Sequence, residues 1–308
     1  MKKQNRLGCE RLRVHWGLAL LILLISVALT LQTQRAYSAD VGRHFLWSIQ
    51  KNNKTIHVMG SIHLLKPGYA QLPEALANAY ERSDCIVFET DIGSIQSPEV
   101  QSKMLSLGIY PEGETLKANI STETHDLLTK KAAALGLPKV SLEGFRPWLC
   151  ALTLTVMELH KLGFSAQHGL DKYFFDKSTR DGKKIMTLES VDYQIGIFAQ
   201  MDEKRQEAFL NQSLKDLEVV ESMAQEMVQA WEHGDTDKMN SVMQMSLEDH
   251  PDLYDILFAQ RNSRWASKIE SIAEEYDQLL VIVGAGHLVG EKNLLDLFRE
   301  KGYSVEQQ

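Results

Sequence analysis

The sequence predicts an α/β fold. The expected architecture is a mixed sheet built from two related halves, each a strand, a Gly-x-x-His turn, a helix and a second strand, with a helical insertion between them. Three observations predict it. Gly60-Ser61-Ile62-His63 has a counterpart in Gly284-Ala285-Gly286-His287. Each copy closes a short apolar run, Ile56-His57-Val58-Met59 before the first and Leu279-Leu280-Val281-Ile282-Val283 before the second, and such runs read as buried strands. Each copy is followed by a helical pattern and another short strand.

In chain order, residues 1–39 read as a signal peptide. Lys2, Lys3, Arg6, Arg11 and Arg13 form a basic head, Trp16 to Leu31 is almost unbroken apolar sequence, and Ala36-Tyr37-Ser38-Ala39 offers small residues for cleavage. The apolar core, about 16 residues, is short for a membrane span. The sequence therefore predicts export to the periplasm or beyond, with membrane contact only if this segment is retained as an anchor. Residues 40–308 then form a single domain. Removing residues 1–39 takes the net charge from -8 to -13, since six Lys/Arg and one Glu leave. So acidic a body argues against nucleic acid as a partner.

Phe45–Ile49 and Thr55–Met59 flank a polar, Asn-containing turn and predict a hairpin. A helix is expected from Leu72-Pro73-Glu74, with Pro in its first turn. The next strand, Ile86-Val87-Phe88, ends at Glu89. The region from about 146 to 278 reads as the helical insertion, interrupted by a strand over Lys184–Leu188 that ends at Glu189. After the second Gly-x-x-His, a helix is expected over about 290–301, Gly302 caps it, and Tyr303-Ser304-Val305 closes the chain. Export permits a disulfide between Cys85 and Cys150, but Cys85 falls in a strand and Cys150 in an apolar helix, and two buried free thiols is the favoured reading. With no Cys-x-x-Cys, a structural zinc site is not expected.

A His reached through a Gly turn at a strand's carboxyl end is where an α/β fold places chemistry. His63 and His287 are therefore the first candidates, converging on one centre. Glu89 and Glu189 end strands at the same side. Two His and a carboxylate suit a divalent ion with open water positions, with a second carboxylate as general base or proton shuttle. The expected metal ligands are His63, His287 and Glu89, and the expected catalytic residues are Glu89, Glu189 and Arg261. Arg261 lies in a charged helix, where it reads either as part of a solvated face or as a residue that reaches the site and stabilises an oxyanion. Asp171 reads either as a helix cap or as a site residue. The absence of Gly-x-Ser-x-Gly, a Walker loop and His-Glu-x-x-His argues against serine hydrolases, P-loop enzymes and the common zinc proteases. Ser61 is not needed by the motif, because the second copy has Ala285 there.

These pieces, together with Arg146-Pro147-Trp148, Gly169-Leu170-Asp171-Lys172-Tyr173-Phe174, Leu188-Glu189, Arg261-Asn262-x-x-Trp265 and Leu288 after His287, resemble the TraB/GumN family, which includes the animal Tiki proteins. The resemblance covers about 41–306 and is close to the bacterial GumN-like branch. It implies an α/β core related to the erythromycin-esterase and ChaN-like folds. It also implies a metal-dependent hydrolase, of the peptidase kind by analogy with Tiki proteins, using Mn, Co or Zn on a peptide or protein substrate. The alternatives it leaves open are a haem- or iron-binding envelope protein without turnover and an accessory protein of envelope polysaccharide or surface assembly. Many relatives carry an acidic residue where this chain has Gln260.

Overall fold

The computed structural model describes residues 42–308 apart from 53, 69–71, 139 and 248–249. The segment read above as a signal peptide lies outside the described residues. Six strands form one mixed sheet in the order β4-β3-β5-β2-β1-β6. They are β1 (Leu46–Lys51), β2 (Lys54–Ser61), β3 (Cys85–Phe88), β4 (Lys184–Thr187), β5 (Gln278–Gly284) and β6 (Ser304–Gln307). β4, β3, β5 and β2 run parallel. β1 pairs antiparallel with both β2 and β6.

The strands at the centre explain their own sequences. A parallel strand covered on both faces has no polar side, so it reads as a continuous apolar run. Leu279, Leu280, Val281, Ile282 and Val283 of β5 are all at most 1% exposed, and Cys85 to Phe88 of β3 are all at 0%. Burying one such aliphatic side chain contributes about 1.5–3 kcal/mol. A charge at Val281 would therefore break the middle of the sheet.

Thirteen helices of the described residues surround it. α1 (Glu74–Arg82) connects β2 to β3, with Pro73 as its N-cap residue, one position earlier than expected. α2 (Pro98–Gly108), α3 (Leu116–Asn119), α4 (Thr122–Ala134), α5 (Pro147–Lys161) and α6 (Leu170–Arg180) lie between β3 and β4. α7 (Val191–Ala199), α8 (Glu203–Asp216), α9 (Val220–Glu232), α10 (Thr236–Leu247), α11 (Pro251–Tyr254) and α12 (Gln260–Glu275) lie between β4 and β5. α13 (Leu294–Glu300) precedes β6. Part of this helical layer has cores of its own, one around Leu116, Leu210 and Leu214 and another around Trp148 and Ile195. Helix formation thus starts well before 146, and β4 inside the expected insertion is a full member of the sheet. Among the described residues no helix is long and apolar enough to cross a membrane.

The two Gly-x-x-His segments have unlike surroundings. After β2, α1 leads to β3, a parallel strand one place removed from β2. After β5, the chain forms a 3-10 turn over Ala285–Leu288 and a left-handed turn at Gly290, so the helix starts only at Leu294. β6 then pairs antiparallel with β1 at the far side of the sheet. The α/β class and the mixed sheet hold; a two-fold repeat of halves is not what the strand pairing shows. Cys85 and Cys150 are buried free thiols, as expected.

Candidate active site at the carboxyl end of the parallel strands

Four parallel strands end side by side, and each delivers a polar residue at its end. β2 leads to His63, β3 to Glu89, β4 to Glu189 and β5 to His287. The join between β3 and β4 continues past the strands, with Leu188 N–H donating to Phe88 O and Glu189 N–H to Glu89 O. This pins the two glutamates together. All five site residues expected from sequence meet here.

Glu89 is the hub. Its Oε1 accepts the Gly284 N–H at 2.7 Å and faces His63 Nε2 at 3.9 Å and His287 Nε2 at 3.8 Å. Its Oε2 accepts Arg261 Nη2–H at 2.8 Å. Gly284 is required by this approach: a Cβ there would lie 3.0 Å from His63 Nε2 and 3.2 Å from Glu89 Oε1.

Arg261 ties the acidic residues together. Its Nε donates to Glu189 Oε1 and Oε2 at 3.2 and 3.1 Å, and its Nη2 also reaches Glu189 Oε2 at 3.0 Å. Its Nη1 donates to Leu257 O at 2.9 Å and to His287 Nε2 at 3.2 Å. Leu257 sits in a π-helical stretch, Asp255–Ala259, that runs directly into α12. Such wide turns are found mostly at functional sites, and here the turn supplies a carbonyl to the guanidinium. Gln194 bridges the glutamates weakly, at 3.3 Å from Glu89 Oε2 and 3.4 Å from Glu189 Oε2. Ser190 accepts from Tyr193 N as the cap of α7, which fixes the helix that carries Gln194.

Each His is held by its other nitrogen. Asp171 Oδ2 lies 2.9 Å from His63 Nδ1. Gly169 permits this: Leu170 N–H donates to Ile62 O at 3.1 Å, and a Cβ at Gly169 would run into the His63 carbonyl. His287 Nδ1 lies 2.6 Å from Asn262 Oδ1, while Asn262 Nδ2 donates to Lys292 O at 3.0 Å. A carbonyl only accepts, so the Asn262 amide oxygen must face the ring, and His287 Nδ1 carries the hydrogen. His287 Nε2 is then the lone-pair nitrogen. The His287 ring is enclosed by Trp265 and Phe258, with ring centroids at 4.2 and 4.9 Å.

The electrostatics separate the two His. Burial drives His287 down to about 3 against the pull of Glu89, with Arg261 adding to the fall, so it is neutral at pH 7. Burial also opposes protonation of His63, but Asp171 outweighs it, Glu89 adds to the effect, and the ring is raised to about 9. His63 keeps 49% of its side-chain surface open to solvent, so the Asp171 contact, not enclosure, sets its behaviour. Burial pushes the Glu89 carboxyl up, but the charges of His287, Arg261 and His63 and the Gly284 N–H hold it at about 2. The His287 ring, neutral at pH 7, lends no full positive charge, so the Arg261 guanidinium and the protonated His63 ring are the cations that keep Glu89 ionised.

The residue pattern of the TraB/PrgY/gumN family matches residues 45–307. The chain belongs to that family. It is 26% identical over 268 residues to "Uncharacterized protein YbaP" of Escherichia coli, covering 85% of this chain and 96% of that protein. It is 22% identical over 333 residues to "Metalloprotease TIKI2" of Danio rerio, covering 90% of this chain and 63% of the relative. The "Metalloprotease TIKI2" of Xenopus tropicalis is likewise 22% identical, over 85% of this chain and 59% of the relative. The chain thus spans about three-fifths of these metalloproteases. No solved structure matches it.

The relatives named as metalloproteases point to a metal cofactor, and the donor set bears on that. Imidazole and carboxylate are the right donor types: His287 is already neutral, His63 would have to give up the proton that Asp171 favours, and each His has its second nitrogen anchored, as ligating His residues do. The spacing is open. Neighbouring donors on a tetrahedral zinc stand about 3.3 Å apart, whereas both Nε2 atoms are 3.8–3.9 Å from Glu89 Oε1. Accordingly, among the described residues no group of three His, Cys, Asp or Glu is closed up to hold an ion. The residues fit a divalent ion in kind, with the Arg261 guanidinium sharing two of the three donors.

Sequence reasoning left Asp171 open between cap and site, and it missed the roles of Asn262, Gln194 and the Gly284 N–H. Asn262 follows Arg261 directly, which is the one signal that could have found it. Asp91, two residues past Glu89, accepts the Gly93 N–H in a local turn. Gln260 bonds Asp255 and stays away from the cluster.

Proposed function

We propose that the protein is an exported, metal-dependent hydrolase that cleaves amide bonds of peptide or protein substrates. The observation that carries this is the convergence of two anchored imidazoles, two carboxylates and a buried guanidinium at the carboxyl end of one parallel sheet. His63 Nε2, His287 Nε2 and Glu89 would hold the ion. A bound divalent ion supplies Lewis acidity and brings the pKa of water toward neutrality.

The chain's own residues supply the rest. Asp171 and Asn262 fix the ring orientations, so neither His must be ordered when substrate arrives. Arg261 is a preorganised positive charge beside Glu89 and His287, suited to a developing oxyanion. Glu189 has both oxygens engaged by Arg261, which supports a role in holding the guanidinium as well as the proton transfer expected of it. The proton of the attacking water would go to one of the carboxylates around the site, Glu89, Glu189 or Asp171. The TIKI2 relatives support the hydrolase class.

Metal content and peptide-library cleavage of the purified protein, beside His63→Ala, test the reading. One equivalent of Mn, Co or Zn with cleavage at defined bonds is expected, and both should be lost in the variant. Metal-independent cleavage, or cleavage that survives His63→Ala, would sink it. Recovery of a cleaved N-terminus near Ala39 in the extracytoplasmic fraction tests export.

A further inference from the structure

Seven buried polar side-chain atoms of the described residues have no hydrogen-bond partner within the protein, and four belong to this site or touch it: Ser61 Oγ, Thr90 Oγ1, Asp171 Oδ1 and Trp265 Nε1. Buried polar atoms are nearly always paired, because an unpaired one keeps its desolvation cost with nothing in return. Asp171 holds His63, Thr90 follows Glu89 and Trp265 packs on His287. Ser61 has no such second task.

The sheet register says where Ser61 faces. Ser61 at the end of β2 is paired with Gly284 at the end of β5 in a parallel ladder, and paired residues of a ladder point to the same face. At Gly284 that face looks at His63 Nε2 and Glu89 Oε1, at 3.0 and 3.2 Å from where a Cβ would stand. Ser61 is 2% exposed and therefore sits under the site, with its hydroxyl on the site's side of the sheet. The turn does not need that hydroxyl, since Ala285 occupies the matching place in the second Gly-x-x-His segment and is equally buried. Nor is Ser61 set up as a nucleophile, because no base bonds its Oγ.

We propose that Ser61 is a substrate-binding residue: its hydroxyl donates to the carbonyl oxygen of a substrate amide group bound at this site. The proposal rests on the reading of the site as one that takes amide substrates. It makes the unpaired hydroxyl a preorganised donor whose partner arrives with the substrate.

The test compares wild type, Ser61→Ala and Ser61→Thr as full-length proteins. Metal-free Ser61→Ala should melt at or above the wild-type temperature, because it removes an unpaired hydroxyl. On the peptide best cleaved in a library screen, its kcat/KM should fall about tenfold, the worth of one hydrogen bond near 1.4 kcal/mol, and Ser61→Thr should recover most of the loss. A melting temperature several degrees lower would show the hydroxyl bonded in the resting protein and overturn the proposal. So would unchanged kcat/KM in Ser61→Ala. If wild type cleaves no peptide, the peptidase reading fails by itself, and Ser61 is judged on retention of a library of N-acetylated tripeptide amides by immobilised protein. Weaker retention by Ser61→Ala than by wild type upholds the proposal; equal retention, or none by either, overturns it.

Discussion

Replacing Arg261 by Met keeps the length of the side chain and removes its charge. Arg261, Glu89 and Glu189 have side chains only 10, 13 and 5% exposed, so water does not take over the lost contacts. Breaking a buried ion pair by removing one partner costs about 3–5 kcal/mol. Here one cation serves two carboxylates, which argues for the upper half of that range. Arg264, half-exposed with Nη2 4.0 Å from Glu189 Oε1, can offset part of the loss. The expected result is about 4 kcal/mol, measured by urea unfolding in chelator, or a melting point lower by roughly 8 °C. Glu189→Gln should cost less, about 1.5–3 kcal/mol, because Arg261 keeps Glu89. The pH dependence gives a second reading. In wild type, Glu89 is depressed to about 2, so its contribution is present above the ordinary carboxyl range and is lost as pH falls through 2. In Arg261→Met the unpaired Glu89 carboxylate takes up a proton more readily, so the deficit against wild type should shrink as pH drops below about 5. A loss under about 1 kcal/mol, or a deficit independent of pH, would refute the view that Arg261 is the charge holding this cluster together.

Three further outcomes are expected. His287→Ala should destabilise by about 2–3 kcal/mol, since it strands Asn262 Oδ1 and empties the space beside Trp265, whereas His63→Ala, which loses one contact of a half-exposed ring to Asp171, should cost about 0.5–1.5 kcal/mol; urea titrations of both separate them. Gly284→Ala should fold, because φ -55° and ψ 138° suit alanine, yet lose metal affinity and activity through the methyl set against His63 and Glu89; calorimetric titration with Zn checks it. Burial pushes the Cys85 thiol up to about 11 and the Cys150 thiol up to about 12, from an ordinary value of 9. Above pH 9 the unfolded chain therefore releases protons that the folded one keeps, and stability should fall with pH by up to about 1.4 kcal/mol per unit per thiol, a slope that Cys150→Ala should reduce.

Much of the site was legible because its residues end strands. The apolar runs before His63, Glu89, Glu189 and His287 are local, and parallel strands with buried faces announce themselves by composition. Asp171, Asn262 and Gln194 left no such trace. Each acts through a contact across the chain, and nothing in their own segments says which ring or carboxylate they meet. The strand pairing does not bear out the expected relation of two halves, for a related reason. Gly-x-x-His is a local likeness, but a strand's place in the sheet is set by its crossover, and β3 and β6 go to opposite sides. The helix expected from Gly290 shortened because the chain first makes left-handed turns at Gly290 and Lys292, the second of which presents the carbonyl that orients Asn262.

The strand order carries a consequence for how the molecule is made. β5 lies between β3 and β2 yet is nearly the last strand synthesised. A chain that emerges amino end first carries β2 and β3 as unjoined neighbours until Gln278–Gly284 appears, and His287 comes only after that. Pairing of such distant segments is slow and leaves apolar strand surface open meanwhile. The same delay keeps the residues of the candidate site apart in the nascent chain. The activity proposed above would then be absent throughout synthesis, and would appear in a single late step when the last parallel strand slides into the gap left for it.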